Sequence, residues 1–324
     1  MIKSFNYTKF DAPADHKEFE YFKDPKDIYE FAREHHCDGI ELQIIEPIKE
    51  EFLKESFIKG IHLSFFNCFM DFWTGNEEAL IKEYGSLEVA YQLYGGTDKS
   101  AIIEKYNREL ERAQRIGVQY VVFHISEVTI EECYTRQYAY TDEEVVEAMC
   151  EIINELLDGK DYTFDFLMEN LWWPGLNFTR PAITKRLLDG INYEHKGLML
   201  DIGHLMNTNL KLRTLAEAIT YIDEILDVHE EMIPLIKGIH LNASLSGTYV
   251  LEEQVIPKTF AGDYWEKRGE TFNHIFKLDQ HKPFCDEGRQ KIIDKVAPKY
   301  LTHELITNNK KELSDYLKQQ EVRR

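Results

Sequence analysis

The sequence predicts an α/β fold, a single-domain (β/α)8 barrel of the TIM type spanning residues 1–324. Three observations carry that expectation. Short apolar runs rich in β-branched residues alternate with longer stretches of helical periodicity, the pattern of repeated βαβ units. Eight such runs are present, and eight strands alternating with helices favour a closed barrel over an open sheet. No internal repeat, low-complexity tract or linker divides the chain.

The strands are expected at residues 2–7, 39–42, 60–64, 118–125, 164–169, 196–201, 236–242 and 299–304. Helical segments lie between them, among them 25–36, 142–157, 214–229 and 308–319. Asp24-Pro25, with Asp27 close behind, is a helix start with proline in the first turn. A plain barrel of this type needs roughly 250 residues. The surplus falls at 65–99 and 243–284, after the third and seventh strands. Insertions there overhang the C-terminal face, where such barrels build their sites.

Composition narrows the function classes. Hydrophobic residues make up 43% and charged residues 30%, which describes a globular chain rather than a disordered one. No apolar run approaches the ~20 residues of a membrane helix. The first ten residues, MIKSFNYTKF, carry no apolar signal-peptide core, so the expected location is the cytoplasm. Cys37, Cys68, Cys133, Cys150 and Cys285 are odd in number and never paired as C-x-x-C, which argues against a disulfide framework or a thiolate zinc site. The net charge of −20 disfavours a nucleic-acid partner, since gripping phosphates needs a basic surface. A small-molecule substrate is expected, and a homo-oligomer is left open.

The informative feature is where His, Asp and Glu fall. The third strand ends in His62, the fourth in His124, the fifth in Glu169-Asn170 and the sixth in Asp201, followed by His204. The seventh ends His240-Leu241-Asn242 and the eighth His303-Glu304. Six consecutive strands thus close an apolar run with a residue able to bind a metal. Strand ends on one face of a barrel converge on its axis. Buried carboxylates are costly unless paired or bound to a cation. A mixed carboxylate and imidazole set suits zinc or manganese better than calcium or magnesium. Each residue alone also has a plain structural explanation: a hydrogen-bonded core histidine, a helix cap for Glu169 or Asp201, a loop position for Asp279 and His281.

The order His62, His124, Glu169, Asp201-x-x-His204, His240, Asp279-x-His281 and Glu304 resembles the xylose isomerase-like barrel superfamily, which includes endonuclease IV and sugar isomerases and epimerases. The resemblance runs from Gly39-Ile40-Glu41-Leu42 to Glu304. In the epimerase branch it implies one divalent ion on Glu169, Asp201, His240 and Glu304, with Glu169 and Glu304 as catalytic acid and base and His204 touching substrate. In the endonuclease IV branch it implies three zinc ions on all nine residues. The cofactor expected is therefore one to three divalent ions, zinc or manganese.

The first expectation is an isomerase or epimerase of a sugar or similar small hydroxy-carbonyl compound, acting by glutamate-mediated proton transfer. The alternatives are a multinuclear phosphodiester hydrolase like endonuclease IV and a dehydratase on the same metal core. The aromatic run Phe65–Trp73 and the pair Trp172 and Trp173 are candidates for stacking on substrate or closing the mouth, or else for packing the insertions down.

Overall fold

The computed structural model describes residues 1–9, 21–46, 48–252 and 262–322. Its strands are β1 (Ile2–Lys9), β2 (Gly39–Ile44), β3 (Ile58–His62), β4 (Tyr120–His124), β5 (Asp165–Glu169), β6 (Lys196–Asp201), β7 (Ile236–Leu241) and β8 (Tyr300–His303). All pair in parallel in chain order, and β8 returns to β1 to close the barrel. Each expected strand is present. The helices are α1 (Pro25–Glu34), α2 (Met70–Thr74), α3 (Glu77–Tyr84), α4 (Leu87–Tyr94), α5 (Ser100–Ile116), α6 (Ile130–Thr135) and α7 (Asp142–Leu157) in the first half. In the second half they are α8 (Pro181–Gly190), α9 (Ile202–Asn207), α10 (Leu215–Val228), α11 (Gly247–Glu252), α12 (Tyr264–Leu278), α13 (Arg289–Val296) and α14 (Lys310–Gln319). Asp24 caps α1 by accepting from the Asp27 amide, as the Asp-Pro signal implied. Among the described residues no helix is long and apolar enough to cross a membrane.

Strand alternation sorts side chains between two cores. Outward residues such as Phe123, Phe166, Leu198, Leu200 and Ile239 are buried against the helical ring, each contributing about 1.5–3 kcal/mol by removal from water. Inward residues form a separate plug of Tyr120, Val122, Leu167, Met199 and Tyr300. Below the plug, Asp165 receives Lys237 and Lys299 at 2.8 Å each and the Tyr300 hydroxyl at 2.7 Å, which closes the N-terminal end. The plug needs glycine opposite its largest member: a Cβ on Gly60 would lie 2.2 Å from the Tyr120 ring. Two residues further along the same inward rows come His62, His124, Glu169, Asp201 and Thr302. The apolar plug thus becomes the floor of a polar site at the C-terminal face.

The insertion after β3 folds as α2–α4. It is fastened to the loop after β4 by Glu127, whose Oε2 accepts from the Phe69 and Met70 amides at 2.6 and 3.2 Å. Its Oε1 is buried with no partner. Burial raises the Glu127 pKa from 4.5 to about 8, against the opposing amide and Cys68 hydrogen bonds and with help from Glu132. A carboxyl raised on folding keeps its proton in the native state while the unfolded chain has lost it. Glu127 therefore withdraws stability as pH rises from about 4.5 to about 8. Glu127→Gln keeps an acceptor for the two amides and removes the titration. Its stability advantage over the wild type should grow by roughly 2–4 kcal/mol between pH 5 and pH 8 in denaturant unfolding. A constant difference across that range would contradict the assignment. The insertion after β7 contains α11 and α12; its residues 253–261 lie outside the described residues.

Candidate metal centre

Parallel register makes neighbours of residues far apart in sequence. His124 stands beside Glu169 across β4–β5, and Asp201 beside His240 across β6–β7. Glu304 follows β8 directly. Asp201 also does what a lone aspartate at that position would do: its Oδ1 caps α9 by accepting from the His204 amide at 2.6 Å. That cap turns the chain so that His204 comes back over the barrel mouth. Asp279 ends α12, and His281 takes a left-handed conformation (φ 44°), costing about 1–3 kcal/mol for a non-glycine residue. An antiparallel bridge between Ala243 and Lys282 holds that turn in place.

The nine residues gather into three groups, each with donor atoms within 4.8 Å of one another. His62, His124 and Glu169 form one; His204, Asp279 and His281 another; Glu169, Asp201, His240 and Glu304 the third. Glu169 belongs to two of them. Its Oε2 lies 3.1 Å from His62 Nε2 and 3.2 Å from His124 Nε2, and its Oε1 lies 3.0 Å from His240 Nδ1. Asp279 Oδ2 lies 3.2 Å from His204 Nε2 and 2.6 Å from His281 Nε2.

Four imidazoles are each tethered by the ring nitrogen that faces away from the group. His62 Nδ1 donates to the Leu63 carbonyl at 2.9 Å, His204 Nδ1 to Asn170 at 2.9 Å and His281 Nδ1 to Glu304 at 3.1 Å. His240 Nε2 donates to Glu41 at 3.0 Å. With that proton placed, the inward nitrogen of each neutral ring is a lone pair aimed at a carboxylate oxygen. Two lone pairs at hydrogen-bond distance need a cation between them, either an extra proton or a metal ion.

The electrostatics carry the same signature. Burial alone would lower the pKa of His62, yet Glu169, Glu41 and Glu304 outweigh it and raise it to about 9. His281 is likewise raised to about 9, against burial, by Asp279 and Glu304. His204 and His240 are raised well above the ordinary value. His124 is the exception, since burial outweighs Glu169 and lowers it. Burial would raise Glu169 and Glu304, but the surrounding imidazoles hold both well below the usual carboxylate range. Asp201 goes the other way, pushed to about 8 by burial together with Glu304 and Glu169, against His204. Glu304 Oε2 lies 2.9 Å from His240 Nδ1, which is hydrogen-bonded to Glu169 Oε1, and is buried without a hydrogen-bond partner. Five imidazoles and four carboxylates, dry and convergent, fit divalent ions of the zinc type.

Sequence reasoning passed over several residues of this site. Glu41 on β2 is 1% exposed and accepts from His240, from the Tyr120 hydroxyl and from Thr302, the last two at 2.8 Å. Asn170 accepts from the Asp201 amide through Oδ1 and donates to the Asp201 carbonyl, tying β5 to β6. Asn242 donates to Asp201 Oδ2 at 2.8 Å. A charged residue inside the apolar run Gly39–Leu42 was the signal for Glu41. Glu41→Gln should weaken metal binding about 10–100-fold by loosening His240. Zinc titration against a competing chelator measures this, and an unchanged affinity would reduce Glu41 to a packing residue.

The other expectations divide. His303, a metal-type residue at a strand end, turns outward: Gln320 lies 2.9 Å from its Nδ1, and burial lowers its pKa to about 3. Trp172 is half-buried with its ring 5.3 Å from that of His204, whereas Trp173 is buried among Val128, Cys133, Leu171 and Ile275. Of the aromatic run, Phe65 stacks on His124 at 4.6 Å, while Phe69 and Phe72 pack the insertion down.

The pattern of a xylose isomerase-like TIM barrel matches residues 29–284 of this chain. No curated protein matches it. Solved structures share the fold at low identity. The crystal structure of IOLI protein with a binding zinc atom is 14% identical, with a TM-score of 0.50 over 99% of this chain and 95% of that one. The probable 3-DHS dehydratase AsbF of Bacillus anthracis is 13% identical, with a TM-score of 0.50 over 98% and 97%. The structure described as AsfvAP:AG is 12% identical, with a TM-score of 0.52 over 98% and 95%.

Proposed function

The chain belongs to the xylose isomerase-like TIM barrel family, and on that footing we propose that it is a divalent-metal-dependent hydrolase of phosphoesters. The observation that carries this reading is the double use of Glu169. An isomerase working from Glu169, Asp201, His240 and Glu304, with both glutamates moving protons, needs a free oxygen on each, and of the two only Glu304, through Oε2, meets that need. Here Glu169 Oε1 is engaged with His240 and Oε2 with His62 and His124. The arrangement suits a carboxylate that would serve two ligand groups better than a catalytic base. In a one-metal isomerase His204 would touch substrate, which leaves Asp279 and His281 without a ligand role.

Zinc ions held by the three groups would supply polarisation of the phosphoryl oxygens and activation of water at neutral pH. The protein's own part is orientation and dryness. The Leu63, Asn170 and Glu304 carbonyls and the Glu41 carboxylate fix four imidazoles. Phe65 against His124 and Trp172 against His204 form apolar lips at the mouth. The strongly negative chain favours a small phosphoester over a nucleic acid.

The second reading, sugar isomerisation, rests on the four-residue group of Glu169, Asp201, His240 and Glu304 standing complete by itself. One experiment separates them. Zinc-loaded protein is incubated with bis(p-nitrophenyl) phosphate and, separately, with ketohexoses in deuterated water. Chelator-sensitive release of p-nitrophenolate supports the hydrolase. Deuterium entry beside the sugar carbonyl without any phosphoester cleavage would replace it with the isomerase.

A further inference from the structure

A groove of about 650 Å³ opens beside the His204 group. It runs between the loops after β4, β5 and β6 and the insertion after β7. Trp172 lines it and also contacts the His204 ring, so groove and metal centre share a wall. Asn207 lines it too, three residues beyond His204 and hence on the same face of α9.

Asn207 is the informative residue. It is 6% exposed, and its Oδ1 accepts from the Ser246 hydroxyl at 2.7 Å. That bond sets the amide, leaving Nδ2 buried with no hydrogen-bond partner. A buried donor without a partner costs about 1–3 kcal/mol, and native structures retain few of them. The lining mixes aromatic rings and uncharged hydrogen-bonding groups such as Tyr138, Asn177 and Thr208 with apolar Leu210, Val250 and Leu278. In a chain with 58 acidic residues, sixteen wall positions would ordinarily carry about three, yet among the described residues no carboxylate lines this groove and the one charged side chain is the cation Arg136. A surface kept free of negative charge beside a metal centre admits an anionic ester, and its walls suit an uncharged ring.

We propose that this groove is the subsite for the organic half of the substrate: an uncharged, hydroxyl- or carbonyl-bearing ring that stacks on Trp172 and accepts a hydrogen bond from Asn207 Nδ2. The inference rests on the phosphoester reading for its orientation, with the phosphoryl group toward His204, Asp279 and His281. A sugar and a nucleoside share this chemistry, and the test tells them apart. Asn207 selects the ring, and Trp172 supplies a stacking face that a ringless ester cannot use.

The experiment is a titration of tryptophan fluorescence in zinc-loaded protein with glucose 1-phosphate, thymidine 5′-monophosphate and the ringless glycerol 3-phosphate. Glucose, thymidine and glycerol serve as the uncharged set. At least one ring-bearing phosphate should bind ~10-fold tighter than glycerol 3-phosphate, and the better of the two identifies the ring. Asn207→Asp, which replaces the donor by an acceptor at the same size, should collapse that preference about tenfold, as should Trp172→Leu. Circular dichroism establishes that both variants are folded; Asn207→Ser replaces any that is not. Equal affinity for ring-bearing and ringless phosphates, or a preference unchanged by the variants, would overturn the subsite. If the ring preference holds among the uncharged probes but a phosphate adds no affinity, the subsite stands and the phosphoester reading falls.

Discussion

Glu169→Gln abolishes turnover of a phosphoester, lowering kcat at least about 10³-fold, and removes more than one equivalent of bound metal. Glu169 is 0% exposed and its two oxygens face three imidazoles in two groups. Glutamine keeps the volume but offers one oxygen and an NH2, so one of the two groups loses the Glu169 oxygen whichever way the amide turns. The negative charge that offsets His62 and His240 also goes, leaving buried cations without their partner, a loss of about 3–5 kcal/mol in buried pairs. Elemental analysis and steady-state kinetics on the folded variant measure both consequences. Full metal content with activity within tenfold of wild type would show that Glu169 does not bridge. Substituting a residue in only one group, such as His124→Gln, should remove one equivalent and no more.

Stripping the protein with a chelator lowers Tm by roughly 10–20 °C. Each site saturated at a thousand times its dissociation constant contributes about 4 kcal/mol to the native state, and three sites act together. The size of the effect depends on pH in a direction fixed by the site. His62 and His281, raised to about 9, stabilise the metal-free protein when protonated. That contribution is complete below the unfolded value of 6.5 and is lost as pH rises through 9. Metal binding displaces the same protons and so strengthens over the same range. The gap in Tm between loaded and stripped protein should therefore widen from pH 6 to pH 9. A gap below ~3 °C, or one that narrows with pH, would contradict the site as described.

The barrel was legible in the sequence because its two periodicities are clean. The inward rows Tyr120-Val122-His124 and Asp165-Leu167-Glu169 place an apolar residue below a metal-type residue at a spacing of two. Residues that complete a strand end could be read in this way, and all nine converge. Residues that act through another could not. Asn170 and Asn242 carry no signal separating them from ordinary polar residues, and the one signal for Glu41, a charge inside an apolar run, does not say which ring it orients. Parity also separates His303, on the outer face, from Glu304, one residue on, which points inward. The order of ligand-type residues also could not decide between one ion and three, because four of the nine serve both arrangements. The grouping in space, with Glu169 used twice, is what the hydrolase proposal rests on. Composition misleads in a related way. A net charge of −20 says nothing of where carboxylates are absent, and among the described residues the groove beside His204 is such a place.

The central claim is that the nine residues hold three ions, and the metal content of the purified protein tests it most directly. Elemental analysis after zinc loading should give about three equivalents per chain, falling to about two in the Asp279→Ala, His281→Ala double variant, which dismantles one group. About one equivalent, unchanged in the double variant, would contradict the account. It would leave Glu169, Asp201, His240 and Glu304 as the only occupied site and return the protein to one-metal isomerase chemistry.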